Sequence, residues 1–215
     1  TNTYAPISHL RRVFTEALSE PDVVALSIGT RSDCLSEEVL DLLEELSHTK
    51  PVWVELGLQT IHTATHARLN THTTVEMFDK AVADLQSRGI PVITHVILGL
   101  PDETPDMMLD TIRHVSSLPV SGIKLQLLHI LKGTALAKEY ETNPFPLFEL
   151  EEYCDFIIDC LELLPPDMVI HRLTGDGPRK LLIAPLWSTD KKRVLNTIHK
   201  RMKERETRQG RLYYQ

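Results

Sequence analysis

The sequence predicts an α/β fold: a partial (β/α) TIM-like barrel of parallel strands with a C-terminal helical extension. Strand and helix periodicities alternate along the chain, with strand starts near Val23, Val52, Val92, Ile123 and Val169. Strict alternation implies βαβ units, a parallel sheet and right-handed crossovers. Each strand also carries polar residues on one face: Ser27 and Arg31, Glu55 and Gln59, His95, then Lys124 and Gln126. A barrel with an open mouth turns polar groups inward around a ligand, whereas helices cover both faces of a doubly wound sheet. No GxGxxG follows any strand, so a dinucleotide fold lacks its fingerprint. The chain opens with a helix, which predicts a barrel open where N-terminal strands are missing.

The elements follow in order. Pro6 to Leu18 sets Ile7, Leu10, Val13, Phe14, Ala17 and Leu18 at helical spacing, and Glu20-Pro21-Asp22 breaks it. Val23 to Thr30 reads as a strand. Ser36 can cap a helix to about Ser47, because its hydroxyl can accept an orphan amide hydrogen. Pro51 to Leu58 is a strand with Glu55, Gly57 and Gln59 on one face. A loop carrying Arg68, Asn70, Thr71 and His72 leads to a helix from Thr74 to Arg88, ended by Gly89.

The central stretch is Pro91 to Thr104, PVITHVILGLPDET. Val92 to Leu98 reads as a strand buried on both faces, with His95 where an apolar residue is the default. The DET step reads as the cap of a helix from Pro105 to Ser117. Gly122 to Leu131 is the next strand, and Gly133-Thr134 opens a short helix. Asn143 to Pro146 is a turn, and Leu147 to Leu164 is a long helix stopped by Pro165-Pro166. Val169 to Leu173 is the last strand. A TGDGPR loop follows, then a basic helix from Thr189 to Arg205. The expected division is a barrel over 1–180 and an extension over 181–215.

Composition narrows the class. Of 215 residues, 42% are hydrophobic and 25% charged, ordinary for a globular protein. No apolar run approaches the ~20 residues that span a bilayer, so no membrane partner is expected. Cys34, Cys154 and Cys160 include no CxxC pair, which fits a reducing cytoplasm better than a disulfide framework. Net charge is −7, but Lys191 to Arg211 holds nine Lys and Arg against Glu204 and Glu206. That basic tail is either a contact for a polyanion such as tRNA or a solvated helix face.

Six runs carry a resemblance: TNTYAP (1–6), LSIGTR (26–31), VELGLQTIH (54–62), HVILGLP (95–101), LLHILKGT (127–134) and IHRLTGDGPR (170–179). In this order they resemble the radical S-adenosylmethionine (SAM) superfamily. The nearest branch contains oxygen-independent coproporphyrinogen oxidase and the elongator-type tRNA-modifying enzymes. Within it they are similar to a bacterial and archaeal subfamily linked to wobble-uridine modification of tRNA. The resemblance implies an enzyme in which three cysteines hold a four-iron four-sulfur cluster. SAM bound to it is cleaved, with an electron donor, to a 5′-deoxyadenosyl radical that abstracts hydrogen. This sequence has no such three-cysteine motif; the resemblance puts the cluster ligands upstream of Thr1, so this chain alone is expected to be inactive. A small-molecule substrate such as a porphyrin precursor is the alternative to tRNA.

Carried over residue by residue, the resemblance implies that Gln59 reaches the SAM ribose hydroxyls and that His95 stands where relatives place a ribose-binding Asp. Ile97 would lie against adenine, Gly99 would permit close backbone approach, and Ser27, Gly29 and Thr30 would end the strand opposite the ribose. Relatives clamp the methionyl carboxylate with Arg at the place of Thr71; Arg31, Arg68 or His72 would have to substitute. Substrate-binding candidates are Arg31, Glu55, Lys124, Gln126, His129, Lys132, His171 and Arg172. Against these stand structural roles: a Glu55–Lys124 or Glu55–Arg31 pair, rim positions for His129-Lys132 and His171-Arg172, and turn glycines rather than a phosphate nest at Gly175 and Gly177. An open barrel exposes an edge strand, so self-association at that edge is expected.

Overall fold

A computed structural model describes residues 3–175 and 177–213. Thr1 and Asn2 of the TNTYAP run and Asp176 of the TGDG loop lie outside the described residues. The main sheet has five strands in the order β1 (Leu26–Thr30), β2 (Val52–Gln59), β3 (Val92–Leu98), β4 (Gly122–Leu127), β6 (Val169–Arg172). Neighbours in the sheet thus follow chain order. That is the singly wound order of a (β/α) barrel, whereas a doubly wound sheet reverses order at a switch point. The pairing of β1 with β2 is parallel, Leu26 opposite Val52 and Thr30 opposite Leu56. The chain divides into two compact units, Thr1–His95 with Ser117–Ile123, and Val96–Ser116 with Lys124–Gln215.

In the first unit, α1 (Ile7–Ser19) packs on α2 (Glu37–Ser47) and β1, and α2 packs on β2. Ser36 caps α2 by accepting from the Val39 amide at 3.4 Å, and Thr74 caps α4 (Val75–Ser87) by accepting from Met77 at 3.3 Å. Gly89 follows α4 at φ +69°, the left-handed conformation that ends a helix without a Cβ penalty. Arg88 joins α4 to α2, 2.6 Å from Glu37 and 3.1 Å from Asp41. Along β2, Val52, Val54, Leu56 and Leu58 are buried, while Trp53, Glu55, Gly57 and Gln59 are half-buried. One face meets helices and the other is open, as period-two alternation requires.

Two details of this unit differ from the sequence reading. Strand β1 begins at Leu26 rather than Val23, because Lys50 Nζ donates to the carbonyls of Glu20 (2.8 Å) and Val23 (2.6 Å) and holds that stretch as a turn. The loop before α4 contains a short helix, α3 (Thr63–Arg68), too brief to leave an apolar period.

The second unit contains the end of β3, α5 (Pro105–Ser116), most of β4, β5 (Ile130–Leu131), α6 (Ala135–Thr142), α7 (Leu150–Leu163), β6, β7 (Leu182–Ala184) and α8 (Lys191–Glu204). Thr104 Oγ1 caps α5, accepting from Met107 at 3.3 Å. The predicted strand Gly122–Leu131 is interrupted. β4 stops at Leu127, the Leu128 amide bonds Leu98 O at 2.9 Å, and β5 turns to pair antiparallel with β7. β7 was hidden in sequence by its length of three residues. Fully buried Tyr153 anchors the core, its hydroxyl donating to Leu173 O at 2.9 Å and its ring 5.5 Å from that of Trp187.

The arginines along the basic C-terminal helix pair with acids of α7. Arg201 lies 2.6 Å from Asp155; Arg205 lies 2.6 Å from Asp159 and 3.0 Å from Asp155; Arg193 lies 3.6 Å from Glu151. All three acids are on α7, whose stripe at four-residue spacing matches the arginine stripe of α8. Beyond α8, Arg211 and the Thr207 hydroxyl converge on the buried Glu162 carboxylate. Gln209 Nε2 donates to the carbonyls of Pro165 (2.7 Å) and Met168 (2.8 Å), which fastens the C-terminal segment to the turn after α7.

Candidate functional site on the open strand faces

In the first unit, Glu55 is the hub. One carboxylate oxygen accepts from Ser27 Oγ at 3.0 Å and the other lies 2.9 Å from His95 Nε2, where the ring N–H donates. The side chains of His95 and Glu55 are 22% and 19% exposed, so the bond is partly screened yet still open to a ligand. Arg31 makes a two-pronged bond to Asp33, 2.9 and 2.6 Å, rather than a structural pair with Glu55. That contact holds the Asp33 carboxyl below its ordinary value. It also commits the Arg31 guanidinium to a carboxylate two residues away.

Gln59 ends β2 at φ +69°, a conformation rare for a residue with a side chain. Its carboxamide folds back over Gly57, where an added Cβ would stand 2.7 Å from Gln59 Nε2. The carboxamide oxygen is buried and has no hydrogen-bond partner among the described residues. A buried acceptor left unmatched costs about 1–3 kcal/mol. Gly29, beside this face on β1, has nothing within 4 Å of an added Cβ.

Thr30 departs from its expected place. It alternates with Gly29, is 8% exposed, and bonds the Thr3 hydroxyl instead of facing the open side. Thr71 is likewise engaged. Its Oγ1 lies 2.7 Å from Nδ1 of buried His66, whose Nε2 lies 2.7 Å from Thr60 O. The sequence reading missed His66. Its partners, Thr60 O and Thr71 Oγ1, flank a helix too short to leave a sequence signal.

In the second unit, Ile97 is half-buried between buried Val96 and Leu98. Gly99 sits at φ +85°, and an added Cβ would stand 3.2 Å from the Phe148 ring, so the close approach there is made by an aromatic side chain. Lys124 and Gln126 share the half-buried face of β4. Arg172 Nη1 donates to Gln126 Oε1 at 3.3 Å. His171 is exposed and, as the next residue along the strand, points to the opposite face, so His171-Arg172 does not act as one pair. His129 lies between β4 and β5 and Lys132 is exposed after β5. Neither Gly175 nor Gly177 has positive φ, and both glycines make room for the His129 ring.

The three cysteines do not fit a cluster. All are buried, and burial pushes the Cys154 thiol up to about 11 and raises those of Cys34 and Cys160, whereas a ligand must be a thiolate. Among the described residues no group of three His, Cys, Asp or Glu could hold a metal. Nor is any helix there long and apolar enough to cross a membrane.

Comparison with known proteins agrees with this architecture. The chain is 44% identical over 213 residues to uncharacterized protein YtqA of Bacillus subtilis, covering 99% of this chain and 66% of that protein. It is 25% identical over 163 residues to the tRNA uridine(34) acetyltransferase of Methanocaldococcus infernus, covering 74% of this chain and 30% of that one. The solved structure of the archaeal Methanocaldococcus infernus Elp3 with an N-terminal deletion superposes with a TM-score of 0.80 at 19% identity, over 97% of this chain and 53% of that chain. This chain therefore spans about two thirds of the Bacillus relative and about half of the Elp3 chain. The Radical SAM superfamily model matches residues 2–115 and the Radical_SAM C-terminal domain model matches 120–204, and by that match the chain belongs to the radical SAM superfamily.

Proposed function

We propose that the open faces of β1 and β2, with His95 of β3, bind SAM, and that the whole protein is a radical SAM enzyme that modifies tRNA. The buried carboxamide oxygen of Gln59 carries this reading. It is an acceptor fixed in a strained backbone with no donor among the described residues, and a ribose hydroxyl is a donor of the right kind. Open space above Gly29 and the Ser27–Glu55–His95 chain beside it suit a polyhydroxylated ligand. In this superfamily SAM supplies hydrogen-atom abstraction. This chain's own residues would bind and orient it: Gln59 by accepting from the ribose, His95 as a group held in one orientation by Glu55. A four-iron four-sulfur cluster is not given a role at Cys34, Cys154 or Cys160, whose environments are wrong for it. The tRNA part rests on the similarity to the tRNA uridine(34) acetyltransferase.

Equilibrium dialysis with SAM tests the first part. Gln59→Ala is expected to weaken binding by about 1–2 kcal/mol, one hydrogen bond or two, without lowering the melting temperature. Unchanged affinity removes Gln59 from the site. Filter retention of tRNA tests the second part, and no retention even at low salt overturns it.

A further inference from the structure

Gln59 stands at a joint in the backbone. On one side, β2 is fixed to β1 by parallel pairing as far as Leu56, opposite Thr30. On the other side lies Thr60, which is 0% exposed. The joint itself has φ +69°. A residue with a side chain keeps such a conformation only where its surroundings over-determine it. The strand supplies one fixed end, so the other must come from whatever holds Thr60.

Thr60 is held by a closed circuit of hydrogen bonds. Its hydroxyl accepts from the His62 amide at 3.2 Å, a local side-chain bond two residues on. The His62 carbonyl accepts from the His66 amide at 3.0 Å, which starts the first turn of α3. The His66 imidazole then returns to the beginning, with Nε2 2.7 Å from the Thr60 carbonyl oxygen. A carbonyl only accepts, so Nε2 carries the hydrogen and donates it. The other face of the imidazole is pinned too: Nδ1 lies 2.7 Å from Thr71 Oγ1, and the Thr71 amide donates to the His66 carbonyl at 3.1 Å. At 6% exposed, His66 is too enclosed to meet a ligand itself. Its reach is inward, to the residue that follows Gln59.

We propose that His66 is a positioning residue for Gln59. By holding the Thr60 carbonyl it keeps Gln59 left-handed, with the carboxamide folded over Gly57 and its oxygen presented to the ligand. The identity of that ligand rests on the SAM reading above; the link from His66 to Gln59 does not. When the bond to Thr60 is lost, Gln59 relaxes toward extended strand backbone and its carboxamide is re-aimed.

Two substitutions divide the imidazole. In His66→Gln the amide nitrogen reaches as far as Nε2 and can still donate to Thr60, whereas in His66→Asn it reaches only as far as Nδ1. The three-bond coupling between the amide and α protons of Gln59, measured by NMR, reports φ and needs no ligand. It should keep its left-handed value in His66→Gln and move toward the extended value in His66→Asn. SAM affinity by equilibrium dialysis should follow it: near wild type in His66→Gln and ~10-fold weaker in His66→Asn, the scale of one hydrogen bond. On a Gln59→Ala background His66→Asn should cost nothing further. Thr71→Val, which removes only the bond to Nδ1, guards against a folding defect and should shift the coupling the same way, by less. Unchanged coupling in both His66→Asn and Thr71→Val overturns the proposal, as do equal effects of His66→Gln and His66→Asn. A coupling that shifts as expected while Gln59→Ala leaves SAM affinity intact upholds the positioning role and overturns the SAM reading instead.

Discussion

The open face of β2 and the seam between α7 and α8 are both dense in polar side chains, and they use them in opposite ways. Along the seam, each arginine that meets α7 finds a carboxylate. On β2, the Gln59 oxygen is held in a strained conformation and meets nothing from the described residues. Polar density therefore says little about where a ligand binds; unmatched hydrogen-bonding capacity says more. The seam joins two helices through paired charges, and the β2 face is the surface proposed for binding.

Removing the seam's pairs should have the largest effect. Arg201→Gln with Arg205→Gln deletes three ion pairs about one-third exposed, and about 2 kcal/mol of stability should go with them, the upper range for a small surface network. Urea unfolding measures this, and SAM affinity should not move. A matching loss of SAM affinity would break the division between the two regions. On the β2 side, Gly57→Ala should imitate Gln59→Ala. Its methyl would displace the carboxamide and weaken SAM binding by about 1–2 kcal/mol, although no ligand-contacting atom is removed. Retained affinity would mean that Gln59 reaches its ligand in another rotamer.

Acid should loosen the segment after α8, which is held to α7 through Glu162. Burial pushes the Glu162 carboxyl up, but hydrogen bonds from Arg211 and Thr207 more than offset it, and the group sits below its ordinary value. A carboxylate depressed in the folded state stabilises above its unfolded pKa, about 4.3, and that contribution is lost as pH falls through the folded value. Hydrogen exchange at residues 207–212 should accelerate over that window, and Glu162→Gln should abolish the acceleration. The smallest effect belongs to Lys192→Gln with Lys200→Gln. Stability should change by less than about 0.5 kcal/mol, and the salt dependence of tRNA retention should stay as it was. A slope shallower by one or more would return α8 to the RNA contact.

Much of this was legible in the sequence, and the limits have physical causes. Strand and helix order followed from periodicity, and the Ser36, Thr74 and Thr104 caps followed from hydroxyls placed before apolar runs. The side-chain faces of Ser27, Glu55, Gln59, His95 and Gln126 followed from alternation within each strand. What failed depended on partners far along the chain or unusually near. The charge of α8 was counted without its acids some forty residues earlier, although Glu151, Asp155 and Asp159 already stood at matching four-residue spacing. Arg31 was captured by Asp33, which lies beyond the end of β1 in the short helical turn Ser32–Cys34, where a strand-face argument does not reach. The partner of Thr71, at the place where relatives carry Arg, was not visible because His66 lies on a helix too short to announce itself. The glycines of TGDG suggested a backbone conformation, when their real role is to leave space for a ring on another element.

The fold-back of Gln59 over Gly57 also constrains how this strand can evolve. While the glutamine is present, any side chain at position 57 strikes its amide nitrogen. Once the glutamine is replaced by a small residue, that conflict disappears and position 57 is released. The two positions are therefore coupled, and a side chain at 57 is more readily accepted once 59 has become small than before. In a double-mutant cycle the cost of Gly57→Ala should largely vanish on a Gln59→Ala background.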